Sequence, residues 1–229
     1  MVRKCFVLLA VLMAVLWLAV PAAHASYAGA GAWVQWLSWS DSTAVLSDPV
    51  VVSTSFAHAE DSTGSSVEVR DSIEWASLAS GNGSALTNFL PDEMVGDSIL
   101  WLGGSVGWVW PSGGVWASAT GTVTWDMTFD VLSYGTFGVY FDYAYSGDLR
   151  TQNTGDWASQ SMQYVLRLWD EANPDSSLVY RELIADRIVR DGESFYNDDG
   201  TYGCWMLGAD VLGGQRVHLT VTSAATASA

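Results

Sequence analysis

Residues 121–131, GTVTWDMTFDV, alternate apolar and polar side chains without interruption. Successive side chains of a β-strand point to opposite faces, so this period of two predicts a strand with one buried and one solvated face. Threonine and aspartate occupy the polar side, and we expect Trp125 in the core. The apolar side comprises Val123, Trp125, Met127, Phe129 and Val131.

The same alternation recurs in residues 65–77, 135–145, 161–169 and 216–222. Turn signals rich in Gly, Pro, Asn and Asp separate these runs. We therefore predict an all-β chain: an antiparallel two-sheet β-sandwich of about nine or ten strands, with the jelly roll as one candidate topology. Leu178 to Val189 fits a helix or a strand equally well, and residues 82–97 resemble a loop.

The N-terminus has the plan of a secretory signal peptide. Arg3 and Lys4 precede an apolar run from Cys5 to Val20, and Ala23-His24-Ala25 resembles a cleavage site. The run is shorter than the eighteen or more apolar residues of a spanning helix. We predict a signal peptide over residues 1–25 and one β-sandwich domain over 26–229, secreted to the cell surface, the medium or the periplasm.

The chain is strongly acidic, with 25 Asp and Glu residues and a net charge of −16. Removal of Arg3 and Lys4 would change this charge to −18 and leave arginine as the only basic residue type besides histidine. Such a charge repels nucleic acid and anionic lipid, so we expect neither as a partner, and no membrane contact after cleavage.

Residues 101–116, WLGGSVGWVWPSGGVW, combine four tryptophans with five glycines. Pro111 to Gly114 signal a turn, and residues 97–131 read as a β-hairpin. The rings could fill core space, or they could form a platform against which sugar rings stack. Trp108 and Trp110 share a parity about 7 Å apart, a spacing that suits successive units of a glycan. The candidate ligand-binding residues are Trp101, Trp108, Trp110 and Trp116.

Catalytic motifs are weak. Gly103 to Gly107 match G-x-S-x-G around Ser105, but a nucleophile elbow needs a following helix, and a β-like segment follows here. Asp126 and Asp130 lie about 13 Å apart along one strand, too far for a glycosidase pair unless another strand supplies a partner. His58 and His218 are isolated. We expect no catalytic residues, and a carbohydrate-active hydrolase remains the alternative that a cross-strand carboxylate would support.

The densest acidic region covers residues 191–200. Oxygen ligands on glycine-rich turns suit calcium, although the spacing is not that of the helix-flanked calcium loop. Ordinary turns explain the same residues. No cofactor is expected other than a structural calcium ion, whose candidate ligands are Asp191, Glu193, Asn197, Asp198 and Asp199. Cys204, the single cysteine outside the signal peptide, is expected to be a buried thiol, with an intermolecular disulfide as the alternative.

The last residues, DGTYGCWMLGADVLGGQRVHLTVTSAATASA (199–229), resemble the final strands of secreted bacterial β-sandwich proteins of the PEP-CTERM, exosortase-sorted class. The resemblance covers the signal peptide and about the last forty residues. It implies a surface or matrix protein associated with exopolysaccharide. No Pro-Glu-Pro motif, apolar anchor or basic tail follows Ala229, and a chain that ended there would be expected in the medium or periplasm.

These observations lead to three functional hypotheses. The first is a non-catalytic secreted protein of the extracellular matrix or cell surface that binds polysaccharide through exposed tryptophans. The second is a structural subunit that self-associates through aromatic faces. The third is the hydrolase.

Overall fold

The computed structural model describes residues 26–40, 44–70, 76–78, 83–88, 94–96, 99–100, 102–111 and 116–229. These residues form two antiparallel sheets that face each other, and no helix occurs among them. The predicted β-sandwich is therefore confirmed. No helix in this part of the chain is long and apolar enough to cross a membrane. The predicted signal peptide lies outside the described residues.

The first sheet has eight strands, in the order β13-β10-β1-β8-β5-β4, with β6 and β7 attached beside β1. Their bounds are β1 Ser26–Ser40, β4 Ala76–Ser77, β5 Gly83–Asn88, β6 Met94–Gly96, β7 Ile99–Leu100, β8 Gly104–Val109, β10 Gly135–Thr151 and β13 Ser194–Val211.

The second sheet has six strands, in the order β12-β11-β14-β9-β2-β3. Their bounds are β2 Val50–Asp61, β3 Ser66–Arg70, β9 Ala117–Asp130, β11 Trp157–Asp170, β12 Ser177–Arg190 and β14 Arg216–Ser228. The long strands β12 and β13 thus occupy the ends of the two sheet orders.

The structure decides one open assignment and corrects two local predictions. The ambiguous segment from Leu178 to Val189 is a strand within β12, and the expected loop over residues 82–97 contains β5 and β6. The predicted hairpin over residues 97–131 is wrong, because β8 belongs to the first sheet and β9 to the second. Turn residues predict a change of direction, but they do not specify whether the chain returns within one sheet or crosses to the other.

The core follows the alternation read from the sequence. Trp125 is 1% exposed, as predicted, and packs within one cluster of buried side chains from both sheets. Aromatic residues fill part of this space: Phe129 lies edge-to-face with both Trp39 and Phe137, at 5.3 and 5.0 Å between ring centroids. Edge-to-face contacts of this kind add to the free energy of burial.

Elsewhere small side chains bring the two sheets close together. β1 directs Ala28, Ala30 and Ala32 inward, and all three are buried. The Ser223 hydroxyl of β14 donates a hydrogen bond across the sandwich to the Ala32 carbonyl oxygen at 3.1 Å. Because a serine side chain is short, this bond requires the two backbones to lie close together at this point.

A β-bulge divides β1 between Val34 and Trp36. Uninterrupted alternation would place Trp33 and Trp39 on the same face. The bulge inserts one residue, so Trp39 is buried in the core while Trp33 lies on the outer face and is half-buried. A bulge of this kind re-aims the side chains that follow it.

Candidate functional site

The three predicted tryptophans that the structure describes differ in exposure. Trp108 lies on the outer face of β8 and is only 6% exposed, whereas Trp110, just beyond the strand, is half-buried. Trp116 lies just before β9 and is 44% exposed. Trp101 lies outside the described residues. The predicted pair of parallel exposed rings at Trp108 and Trp110 is therefore absent, because the first of them is covered.

Glycines beneath tryptophan rings explain why these two residue types occur together. Trp108 pairs with Gly29 of β1, and a Cβ atom on Gly29 would lie 2.7 Å from Cδ1 of the Trp108 ring. A Cβ atom on Gly104 would lie 2.6 Å from Cδ1 of Trp33, and one on Gly31 would overlap the same ring. Side-chain atoms at these three positions would collide with the indoles, so glycine allows the rings to lie flat on the sheet.

The segment that forms this surface is Tyr27-Ala-Gly-Ala-Gly-Ala-Trp33. Its alanines face the core, and Tyr27, Gly29, Gly31 and Trp33 face outward. Aromatic residues and glycines therefore alternate with alanine at a period of two. This pattern is visible in the sequence and points to Tyr27 and Trp33, which lie outside residues 101–116.

An ion pair borders these rings. The Arg150 guanidinium donates hydrogen bonds to both carboxylate oxygens of Asp148, at 3.0 Å from Nε and 2.7 Å from Nη2. Asp148 is 2% exposed, whereas the Arg150 side chain is 56% exposed. The guanidinium carbon also lies 5.8 Å from the centroid of the Tyr27 ring, a cation–π distance. A two-bond pair of this type fixes the arginine in one orientation.

Burial and charge shape the protonation of this cluster. Burial, followed by the Asp148 carboxylate, raises the pKa of Tyr27 well above its ordinary value. The hydrogen bond with Asp148 raises the pKa of Arg150. At neutral pH the cluster thus contains a neutral phenol beside a bound guanidinium cation.

Tyr196 of β13 completes the cluster and is 51% exposed. It pairs with Asp148 across the β10–β13 ladder. We call this surface the aromatic face and define it as Tyr27, Trp33, Trp108 and Tyr196 together with the Asp148–Arg150 pair. Its covered members are Trp108, which packs over Gly29, and Asp148, which positions Arg150. Its accessible members, Trp33, Arg150 and Tyr196, offer a ring surface, cationic N–H donors and a phenol.

The acidic segment divides into two different structures. Asp191 and Gly192 both have positive φ, 54° and 88°, and form the turn between β12 and β13. The Asp191 carboxylate accepts a hydrogen bond from the Gly155 N–H at 2.7 Å. Glu193 also belongs to this connection, where its carbonyl oxygen accepts a hydrogen bond from the Thr151 hydroxyl at 3.0 Å.

Asn197, Asp198 and Asp199 lie within strand β13 rather than in the expected turn, at an irregularity of the β10–β13 ladder between the pairs Gly147–Asn197 and Tyr145–Thr201. Asn197 donates a hydrogen bond to the Thr201 hydroxyl at 3.1 Å. Over the described part of the chain, no group of three or more His, Cys, Asp or Glu side chains is arranged to hold a metal ion. Calcium binding stays a prediction of the sequence.

Two other candidate residues have definite positions. Ser105 is 1% exposed, and its hydroxyl donates a hydrogen bond to the Ser223 carbonyl oxygen at 3.4 Å. The chain continues as strand through Val109, so the helix that a nucleophile elbow needs does not follow Ser105. Cys204 is exposed, and the expectation of a buried thiol is wrong. Trp205, the next residue, packs against the core cluster, so strand alternation turns Cys204 outward.

A histidine supplies the cross-strand partner of Asp126. His218 Nδ1 lies 3.1 Å from Asp126 Oδ1 and 3.2 Å from the Thr128 hydroxyl, and the imidazole stacks on Trp169 with centroids 4.2 Å apart. His218 lies on the polar face of β14, as the sequence predicted. Asp130 lies 3.7 Å from Arg216 Nε. The register thus brings an imidazole to Asp126 and a guanidinium to Asp130, and the same guanidinium nitrogen lies 3.7 Å from Glu171 Oε2.

The comparisons with known proteins do not identify a family. No protein-family model matches the chain, and no curated protein matches it.

Proposed function

We propose that the protein is a non-catalytic, secreted component of an extracellular matrix or cell surface that binds a neutral polysaccharide on its aromatic face. The observation that supports this function is the arrangement of Trp33 and Trp108, whose rings lie over glycine residues next to the Asp148–Arg150 pair. The apolar C–H face of a sugar ring stacks on indole, and arginine N–H groups donate hydrogen bonds to sugar hydroxyls.

The two indoles have different roles, because Trp33 is half-buried and Trp108 is covered. The Trp33 ring lies over Gly31, and the Trp108 ring lies over Gly29, two residues further along β1. Two residues of strand span about 6.6 Å, so the two rings are neighbours on the sheet. Trp33 therefore offers the stacking surface, and Trp108 fills the space beside it without contacting the ligand.

The net charge of −16 favours a neutral ligand. An acidic polysaccharide would be repelled by the protein as a whole, and one exposed guanidinium in the aromatic face would not offset that repulsion. A neutral glycan gains the same stacking and hydrogen bonds without the electrostatic cost.

Affinity electrophoresis through gels containing hydroxyethylcellulose, xylan or alginate tests this function. We expect a neutral polysaccharide to retard the wild type and alginate not to do so. Trp33→Ala and Tyr196→Ala should each weaken binding at least about tenfold, equal to about 1.4 kcal/mol. Circular dichroism and thermal melting of each variant establish that the loss is not one of folding.

Trp116→Ala is the matched control, because Trp116 is exposed but outside the aromatic face. It should bind as the wild type does. Loss of binding in Trp116→Ala alone would move the site to the originally predicted segment. Equal mobility of the wild type in all gels would contradict glycan binding.

A further inference from the structure

β13 presents a long edge at the end of the first sheet. It pairs with β10 on one side, and no described strand pairs with its other side. Exposed edges are usually protected by charged residues, proline or short length. β13 has eighteen residues, and the stretch 201–209, TYGCWMLGA, contains neither a charged residue nor a proline. We call residues 201–209 the bare edge.

The outward side of the bare edge is apolar. Tyr202 is 63% exposed and Met206 is 81% exposed, and the exposed Cys204 lies between them on the same face. Tyr140 on the neighbouring strand β10 is opposite Met206 and is 37% exposed. Large exposed apolar side chains that cluster in this way mark protein interaction sites.

The order of residues in the bare edge fits a second copy of the same strand. If two copies pair antiparallel about a two-fold axis at Cys204, Tyr202 of one copy lies opposite Met206 of the other. On the inner face, Trp205 then lies opposite Gly203. The β10–β13 ladder already contains a pair of this kind, in which Tyr143 lies opposite Gly203. The Tyr143 ring occupies the space that a Cβ atom on residue 203 would need.

Charge favours the bare edge as the place of contact. Two chains of net charge −16 repel each other, and the bare edge is a place where strands can meet without opposing carboxylates. Added salt screens the repulsion between the two chains, so the pairing should strengthen with ionic strength. We propose that two copies of the protein associate edge to edge along β13, antiparallel and centred on Cys204. This inference is independent of glycan binding.

The proposed register places the Cys204 residues of the two copies opposite each other, so a disulfide between them would report the pairing. Directly opposed residues of an antiparallel pair have Cα atoms about 4.5–5.5 Å apart, within the 4.4–6.8 Å range of disulfides. Oxidised glutathione can therefore link the two copies: two Cys204 thiols are oxidised to one disulfide, and the glutathione disulfide is reduced to two glutathione thiols.

The test combines sedimentation of the reduced protein with non-reducing electrophoresis after incubation with oxidised glutathione. We expect a reversible dimer that salt strengthens, and a disulfide-linked dimer under oxidation. Met206→Glu should weaken the reduced dimer more than tenfold, because it introduces a carboxylate into the apolar row of each copy and adds to the repulsion between the chains. Glycan retardation should be unchanged in this variant.

The matched control moves the thiol along the same face of β13, in Cys204→Ser combined with Asp210→Cys. In the proposed register residue 210 lies six positions, about 20 Å, from the two-fold axis. The two moved thiols are therefore far apart and should cross-link at least tenfold more slowly than the wild type. Equal rates for the two proteins would show random collision and overturn the register. Wild-type protein that stays monomeric at every concentration and salt level would overturn the association itself.

Discussion

Tyr164 shows how a single hydroxyl can join the two sheets. Its ring is buried on β11, and its hydroxyl accepts a hydrogen bond from the Trp33 N–H at 3.1 Å and donates one to the Ala144 carbonyl oxygen. Trp33 and Ala144 are opposed residues of the β1–β10 ladder. A side chain of the second sheet thus satisfies two backbone groups of the first, next to the bulge that turns Trp33 outward.

Tyr164→Phe should destabilise the protein by about 1–3 kcal/mol, because it leaves a buried N–H and a buried C=O without this partner. The free energy of unfolding from urea titrations at neutral pH measures the effect. Tyr134→Phe is the matched control, because Tyr134 is 65% exposed, and it should have almost no effect. Equal stability of Tyr164→Phe and the wild type would show that the hydroxyl contributes nothing.

The same tyrosine predicts a dependence on alkaline pH. Burial raises the pKa of Tyr164 well above its ordinary value of 10.0, so the folded protein keeps the phenol proton when the unfolded chain loses it. The stabilisation is therefore complete below pH 10 and decreases as the pH rises above it, by about 1.4 kcal/mol for each unit. Urea titrations between pH 9 and 11 should show the difference between wild type and Tyr164→Phe becoming smaller. A constant difference would contradict this linkage.

Between strands, Gly107 sets how closely β8 approaches the second sheet. A Cβ atom on Gly107 would overlap the Ala119 carbonyl oxygen of β9 and would lie 3.4 Å from that of Ala225 on β14. Both obstacles are backbone atoms of strands with partners on each side, so they cannot move independently. The contact explains why this position of β8, which faces the core, has no side chain.

Gly107→Ala should therefore destabilise the protein by about 1–3 kcal/mol, as overpacked cores do. Gly208→Ala is the control, because its nearest atom would be 3.5 Å from the new Cβ. Thermal melting of both variants should show a decrease for Gly107→Ala and little change for Gly208→Ala. Unchanged melting of Gly107→Ala would mean that the sheets can separate at low cost.

For the protein as a unit, the dominant electrostatic property is the excess of carboxylates. The net charge of −16 destabilises a compact state through self-repulsion, and ions screen this repulsion. Lowering the Debye length from about 30 Å at 0.01 M salt to about 3 Å at 1 M should therefore raise the melting temperature. Calorimetry over this range of NaCl concentrations measures the melting temperature. A melting temperature that falls as salt is added would contradict the argument.

The predicted calcium site gives a control in the same experiment. At matched ionic strength, screening alone treats calcium and magnesium as equivalent. A calcium site at the acidic segment predicts that calcium raises the melting temperature further, in a saturable way, and that Asp191→Asn reduces this rise. Identical melting in the two salts would reject the calcium prediction and leave Asp191 with its role in the turn between β12 and β13.

Much of the candidate site was hidden from sequence reasoning because its residues are distant along the chain. Tyr27, Trp108, Asp148 and Tyr196 belong to four strands that the chain visits in separate passes. Only the YAGAGAW pattern of β1 was readable in advance, since alternation is a local property. Whether Trp108 is exposed depends on what covers it, and no local pattern records that.

The alternation of side chains by itself determined the fold class and the buried face of strands such as β9, because a period of two is a property of each extended segment alone. Which strands pair was decided only by the tertiary structure, since pairing depends on contacts between distant segments. The tertiary structure placed β8 and β9 in different sheets and brought Asp126 next to His218. It also turned Cys204 outward on an edge strand. A bulge of one residue, invisible in the pattern, decided that Trp33 lies on the aromatic face and Trp39 in the core.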